Sequence, residues 1–155
     1  MTSIVDSVPS EFDPKAVENT LAFFAGYSGT KCTEIRIIGK NNKPNKIGFY
    51  DQYQEAVERI KQFDGNAAIY FSLNRINADL KRRACNSLES VSGTKDNDVE
   101  RLCWLVVDID PCRPSDTPST DDELGHAGDC QNRIIKEVFQ PAGAEIVKAM
   151  SGNGT

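Results

Sequence analysis

Two aspartates, Asp108 and Asp110, are separated by one residue at the end of the most apolar run of the chain, residues 102–111 (LCWLVVDIDP). The run predicts a buried strand, in which alternate side chains point to opposite faces, so both carboxylates share one face while Ile109 enters the core. At a rise of about 3.3 Å per residue the two Cα atoms lie roughly 6.6 Å apart, close enough for the carboxylates to hold one or two hard cations. The pair therefore predicts a divalent-metal site.

Aspartate also has an ordinary structural role here, because it often ends a strand and hydrogen-bonds the local backbone of the following loop. The position of the pair favours metal binding. A long apolar run indicates a central strand, and active sites of α/β sheets gather at the carboxyl ends of such strands. Two carboxylates within reach of one another also repel, and a cation or a proton between them lowers that repulsion.

A glycine-rich segment, Ser151-Gly152-Asn153-Gly154, stands near the end of the sequence. Its glycines permit positive φ angles, so successive N–H groups can turn toward an anion such as a triphosphate, and the Ser151 hydroxyl adds a donor. Alone, such a segment is equally typical of a simple turn or a loose terminus. Because a predicted strand, Glu145–Met150, runs into it with no return element, we expect the sequence to be a piece of a longer chain.

Composition limits the class of protein. The 155 residues are 39% hydrophobic and 26% charged, with a net charge of −5 that argues against wrapping duplex DNA by electrostatics alone. No stretch approaches the roughly 20 apolar residues of a membrane span, and the N-terminus lacks a signal-peptide pattern, so we expect a cytoplasmic protein with no membrane partner. The five cysteines are odd in number and contain no Cys-x-x-Cys pair, which favours reduced thiols.

The remaining patterns predict an α+β chain in which helices flank a mixed sheet. We expect a flexible lead-in over residues 1–15, a helix at Ala16–Phe24, a hairpin of Thr33–Ile38 with Lys46–Tyr50, and a helix at Tyr53–Phe63 capped by Asp51. Further along we expect a strand at Ala67–Leu73, a basic helical stretch at Lys81, Arg82 and Arg83, and a loop over residues 90–98. The strand of the aspartate pair then precedes a helix from a Thr120–Glu123 capping box to about Phe139, and the strand at Glu145–Met150.

The combination of motifs is more specific than any one of them. The strand ending in Asp108-Ile109-Asp110-Pro111, the Arg113-Pro114 pair and the helix start at residues 119–123 precede the Ser-Gly-Asn-Gly segment at a definite distance. This arrangement resembles the catalytic domain of the archaeo-eukaryotic primase superfamily, in particular the primase-polymerases of phages, plasmids and other mobile elements. The similarity covers nearly the whole chain from about residue 20 and includes Glu34-Ile35-Arg36, Gly48-Phe49-Tyr50-Asp51, Ile69-Tyr70-Phe71-Ser72-Leu73-Asn74 and Asp98-Val99-Glu100-Arg101.

The resemblance implies a template-directed nucleotidyl transferase whose palm is similar to an RNA-recognition fold, occupying residues 16–155 and incomplete at the C-terminus. Asp108 and Asp110 would be its catalytic, metal-binding carboxylates for Mg²⁺ or Mn²⁺. Nucleoside triphosphates would bind at Ser151, Gly152, Asn153 and Gly154, and single-stranded DNA would be the template. In that family a histidine follows the glycine loop and a further acidic residue completes the metal site. We expect both to follow Thr155, so this chain alone would be inactive, and a helicase domain in the same polypeptide is a further option.

Several basic residues are secondary candidates. Arg113 and Arg36 are candidates for phosphate contacts with the nucleotide, although loop arginines are usually solvated surface groups. Lys81, Arg82 and Arg83 are candidates for holding nucleic acid, with a solvated helix face as the alternative. The lone His126 is expected to face solvent, and Trp104 to lie in the core.

Other classes of protein remain open. Phosphatases of the haloacid-dehalogenase type place Asp-x-Asp after an apolar strand, but they need a threonine where this chain has Cys112. Metal-dependent glycosyltransferases also use Asp-x-Asp, but they give no reason for the glycine segment. A non-catalytic nucleic-acid-binding replication module is the third alternative, and the acidic net charge and the intact aspartate pair count against it.

Overall fold

The computed structural model describes residues 12–39, 45–114 and 117–148. It is a mixed α+β structure with small antiparallel sheets and flanking helices. The chain divides into two compact units, Met1–Leu105 and Val106–Thr155, and each is described by itself.

The first unit is built on a three-stranded antiparallel sheet. Strands β1 (Thr33–Gly39), β2 (Lys46–Tyr50) and β3 (Ala67–Phe71) lie in the order β2-β1-β3. The predicted hairpin is confirmed, because β1 pairs with β2 from Thr33 opposite Tyr50 to Ile37 opposite Lys46. The predicted strand after the second helix is also confirmed, although it ends two residues earlier than expected.

Two helices cover one face of this sheet. Helix α1 (Pro14–Ser28) is longer than the predicted Ala16–Phe24, because the Asp13 carboxylate accepts from the N–H groups of Lys15 and Ala16 and Gly29 ends the helix at φ 63°. Helix α2 (Tyr53–Lys61) lies against α1. The core between the helices and the sheet is centred on six buried residues, Leu21, Ile35, Ile37, Tyr50, Ala56 and Ile60.

The predicted cap of α2 is wrong. Gln52, not Asp51, is the N-cap residue, and its side chain makes no capping hydrogen bond. The Asp51 carboxylate instead accepts from Lys81 and from the amide of Asn86, which holds β2 against the segment after β3. A long-range ion pair therefore replaces the local cap that the sequence favours.

A second cluster lies on the opposite face of the sheet, over β2. It consists of Cys32, Ile47, Phe49, Ile76, Leu80 and Ala84. The chain after β3 supplies the outer half of this cluster. It contains β4 (Arg75–Ile76), which pairs with β5 (Val99–Arg101). It also contains a 3₁₀ helix, Ala78–Arg83, where the sequence predicts a basic helical stretch. A second 3₁₀ turn, Asp96–Asp98, interrupts the predicted loop over residues 90–98.

The second unit contains helix α3 (Asp121–Ile134), continued by a π-helical turn at Ile135–Phe139. The predicted capping box is confirmed, since the Thr120 hydroxyl accepts from the N–H of Glu123 while the Glu123 carboxylate accepts from the N–H of Thr120. The helical segment ends at Phe139 as predicted. None of the described residues of this unit is buried.

The predicted buried strand at residues 102–111 is wrong, because regular pairing ends with β5 at Arg101. The Asn74 side-chain oxygen accepts the N–H groups of Cys103 and Trp104, which removes two donors from any ladder. Leu102 and Leu105 remain 79% and 77% exposed. An apolar run forms a buried strand only if another strand lies beside it, and none of the described strands does so here.

Two further expectations for this region need correction. Trp104, predicted to be core, is half-buried, and its ring lies 4.9 Å from that of Phe24 and 4.6 Å from that of Tyr27. Residues 145–148 of the predicted strand Glu145–Met150 are exposed and irregular, and the last two residues lie outside the described part of the chain.

Candidate metal and nucleotide site

Asp108 and Asp110 lie at the start of the second unit, and both side chains are exposed. Ile109 between them is partly buried, so exposure alternates as it would if both carboxylates faced one side. Neither carboxylate makes a hydrogen bond or an ion pair with any residue in the described ranges. The alternative prediction was that these aspartates hydrogen-bond the backbone of the following loop. No such bond is present among the described residues.

The donor set of the pair fits a hard divalent cation. Carboxylate oxygens are the ligands that Mg²⁺ prefers, and Mg²⁺ is usually held by only one or two carboxylates together with water and substrate phosphates. Within residues 12–39, 45–114 and 117–148 there is no group of three or more His, Cys, Asp or Glu side chains placed to hold a metal. Among the described residues, a metal at this pair would thus have two carboxylates, and water or substrate would have to supply its further ligands.

Arg113 lies three residues after the pair in the same unit, and it is tied to its own loop. Its guanidinium donates to the Thr117 carbonyl oxygen, and the Thr117 hydroxyl donates to the Pro114 carbonyl at 2.7 Å. The charge of Arg113 also contributes to lowering the pKa of Glu123, after the larger effect of the Thr120 N–H and hydroxyl donors. The Ser151–Gly154 segment lies outside the described residues.

Arg36, the other arginine candidate, belongs to the first unit and is paired with a buried carboxylate. Its Nε and Nη2 atoms lie 2.8 Å and 2.7 Å from Glu34 Oε1. The other oxygen of Glu34 accepts the N–H of Thr94 at 2.5 Å. The positive charge of Arg36 is therefore compensated, which weakens the expectation that it contacts phosphate.

The basic stretch at residues 81–83 serves structural contacts in the first unit. Lys81 donates to Asp51, which lowers the pKa of Asp51 and raises that of Lys81. Arg83 donates to the carbonyl oxygens of Ser92 and Gly93. Arg82 lies 3.2 Å from Asp79 with 84% of its side chain exposed, so it is the member of the stretch that is most open to another partner.

The expectation for the lone histidine is confirmed, since His126 is exposed on α3. The five cysteines are free in the structure. Burial raises the pKa of the Cys32 thiol to about 11, so this thiol stays protonated and acts as a small core residue.

Sequence reasoning missed a cleft on the open face of the first unit's sheet, beside β1 and β3. It has a volume of about 400 Å³ and is lined by Glu34, Arg36, Ile38, Tyr70, Phe71, Ser72 and Thr94. The residue pattern of β1 and β3 indicates this open face. Polar or exposed residues alternate with buried isoleucines along β1, and Tyr70 is 55% exposed between two less exposed neighbours in β3.

Comparisons with protein-family models, with curated proteins and with solved structures find no match to this chain. No helix in the described ranges is long and apolar enough to cross a membrane.

Proposed function

We propose that this chain is part of a template-directed nucleotidyl transferase, a DNA primase-polymerase acting in the replication of a phage, plasmid or other mobile element. The observation that carries the proposal is the exposed pair Asp108 and Asp110 around a partly buried Ile109, free of bonds to the described residues. It is supported by the motif order, in which this pair precedes Arg113-Pro114, the capped helix α3 and the Ser-Gly-Asn-Gly segment.

The fold contributes a second line of support. RNA-recognition folds have an antiparallel sheet whose open face contacts nucleic acid. The first unit has three antiparallel strands with α1 and α2 on one face, and part of the other face is open. We infer a palm of this type, to which the sheet of the first unit would belong.

Three groups of candidate residues have roles in this proposal. Asp108 and Asp110 would hold Mg²⁺ or Mn²⁺, and the backbone N–H groups and hydroxyl of Ser151–Gly154 would bind the triphosphate. Such ions would supply a lowered pKa for a terminal 3′-hydroxyl and positive charge to neutralise the triphosphate and the departing pyrophosphate. Arg113 stabilises the loop that follows the aspartates through its bond to Thr117.

Calorimetric titration of the intact chain tests the proposal. We expect Mn²⁺ to bind, and deoxyadenosine triphosphate to bind only when Mn²⁺ is present. Asp108→Ala and Asp110→Ala should each weaken Mn²⁺ binding at least about tenfold, since losing even an outer partner of a metal ligand weakens a site about 10- to 100-fold.

Asp129→Ala is the matched control, because Asp129 is also exposed and lies in the same unit on α3. It should bind Mn²⁺ as the parent chain does. Equal binding by Asp108→Ala and the parent would contradict the proposal, and no Mn²⁺ binding at all would favour the non-catalytic nucleic-acid-binding module.

A further inference from the structure

We propose that the cleft beside β1 and β3 binds a nucleobase of single-stranded DNA. The site belongs to the first unit and uses neither aspartate of the pair. The inference rests on the proposed function only for its choice of single-stranded DNA as the source of the base.

The cleft is large enough for a single small ligand. Its volume of about 400 Å³ falls in the range of about 300–1,000 Å³ that is typical of small-ligand pockets. Gly93 passes directly over the Glu34–Arg36 pair, because an added Cβ there would lie 2.5 Å from Arg36 Nη2 and 2.9 Å from Glu34 Oε1. The ion pair is thus held between the sheet and the loop at residues 91–95.

The ion pair determines what class of ligand the cleft favours. The Glu34 side chain is 5% exposed, and its charge compensates that of Arg36 next to the cleft. A phosphate placed here would meet an ion pair with no net charge, whose carboxylate would repel it, so it would gain little. A neutral planar ligand avoids this repulsion and can still accept a hydrogen bond from the guanidinium Nη1, which has no partner among the described residues.

Tyr70 supplies the stacking surface. It lies directly opposite Arg36 in the β1–β3 register, which places the two Cβ atoms about 4.5–5.5 Å apart on the same face of the sheet. Its side chain is 55% exposed although its strand is otherwise partly buried, and Ile38 beside it is 39% exposed. Aromatic side chains on an open sheet face stack nucleobases in this way.

Two hydroxyl groups complete the polar edge. The Thr94 hydroxyl oxygen is buried and has no hydrogen-bond partner among the described residues, which is uncommon for a buried polar atom. The Ser72 hydroxyl accepts the N–H of Glu34 at 2.9 Å and keeps its own proton to donate. Together with Arg36 they offer donors to the carbonyl and ring-nitrogen acceptors of a base.

Fluorescence anisotropy of the intact chain tests the site, with a labelled oligothymidylate of about ten nucleotides. The buffer contains EDTA, so metal binding plays no part. Tyr70→Ala should weaken binding about 5- to 150-fold, which corresponds to the loss of about 1–3 kcal/mol of stacking, while Tyr70→Phe should bind like the parent. An abasic oligonucleotide of the same length should bind weakly and equally to the parent and to Tyr70→Ala.

Tyr27→Ala is the matched control, since Tyr27 is 50% exposed on α1 and does not line the cleft. Its affinity for the oligothymidylate should stay at the parental value, and circular dichroism should show that all variants are folded. An equal loss in Tyr27→Ala and Tyr70→Ala, or an abasic strand that binds as tightly as the oligothymidylate, would overturn the proposal. Competition by free thymidine at the affinity of the oligonucleotide would overturn the assignment to single-stranded DNA.

Failure here can be distinguished from failure of the proposed function. Asp108→Ala should retain oligothymidylate binding in EDTA, and Tyr70→Ala should retain Mn²⁺ binding. A parent chain that binds oligothymidylate but not Mn²⁺ would count against the proposed function alone. A parent chain that binds Mn²⁺ but not oligothymidylate would count against the cleft alone.

Discussion

At the scale of single residues, Asp51 has a contact whose strength should depend on pH. Its hydrogen bonds with Lys81 and Asn86 lower its pKa below the unfolded value of about 3.9, and the same contact raises the pKa of Lys81 above about 10.4. The contribution of Asp51 to stability is therefore present above about pH 4 and is lost as pH falls through its folded pKa. The contribution of Lys81 is present at neutral pH and is lost as pH rises through its raised pKa.

We predict that Asp51→Asn lowers the free energy of unfolding by up to about 1 kcal/mol at pH 7, because the pair is only partly shielded from water. The difference from the parent should shrink as pH falls below about 4. Urea denaturation at several pH values measures this. Asp79→Asn is the control, since its pair with Arg82 is 84% and 70% exposed and should contribute nothing measurable. Equal stability of the two variants at pH 7 would refute the prediction.

At the scale of elements, the hairpin packs closely against the segment that follows it. A Cβ at Gly48 in β2 would collide with the Ser87 carbonyl oxygen and lie 2.6 Å from Tyr50 Cε2. Gly48→Ala should therefore destabilise the protein by about 1–3 kcal/mol through overpacking. Gly26→Ala should instead stabilise it by about 0.5–1 kcal/mol, because Gly26 is inside α1 with nothing within 4 Å of the added Cβ. Thermal unfolding of the two variants measures the contrast, and two shifts of the same sign would contradict the packing.

The elements also show what the sequence could predict. The hairpin and the Thr120–Glu123 capping box follow from local signals, namely alternation and a residue spacing, and both are confirmed. The strand at residues 102–111 depends on a neighbouring strand that no local signal reports, and Asn74 occupies two of its N–H groups. The predicted cap of α2 is wrong for the same reason, because Asp51 pairs instead with Lys81, which lies 30 residues further along the chain. The spacing of Asp108 and Asp110 could be predicted, whereas the cleft at Tyr70 required the strand register.

At the scale of the whole molecule, the two units differ in burial. The buried core residues all belong to the first unit, and none of the described residues of the second unit is buried. We predict that amides of the central strand β1 exchange with solvent only through global unfolding, while amides of α3 exchange at least about tenfold faster through local opening. Hydrogen exchange of the intact chain, followed by NMR, measures both sets. Equal protection of α3 and β1 would contradict this prediction.

The proposed function requires Asp108 and Asp110 to hold a divalent metal together. Its most direct test is a Mn²⁺ titration of the intact chain followed by NMR, because Mn²⁺ broadens the signals of nuclei close to it. We expect broadening at low Mn²⁺ concentration to be centred on residues 108–110 and to disappear in Asp108→Ala and Asp110→Ala. Broadening centred elsewhere, or unchanged in both variants, would show that the pair does not hold the metal.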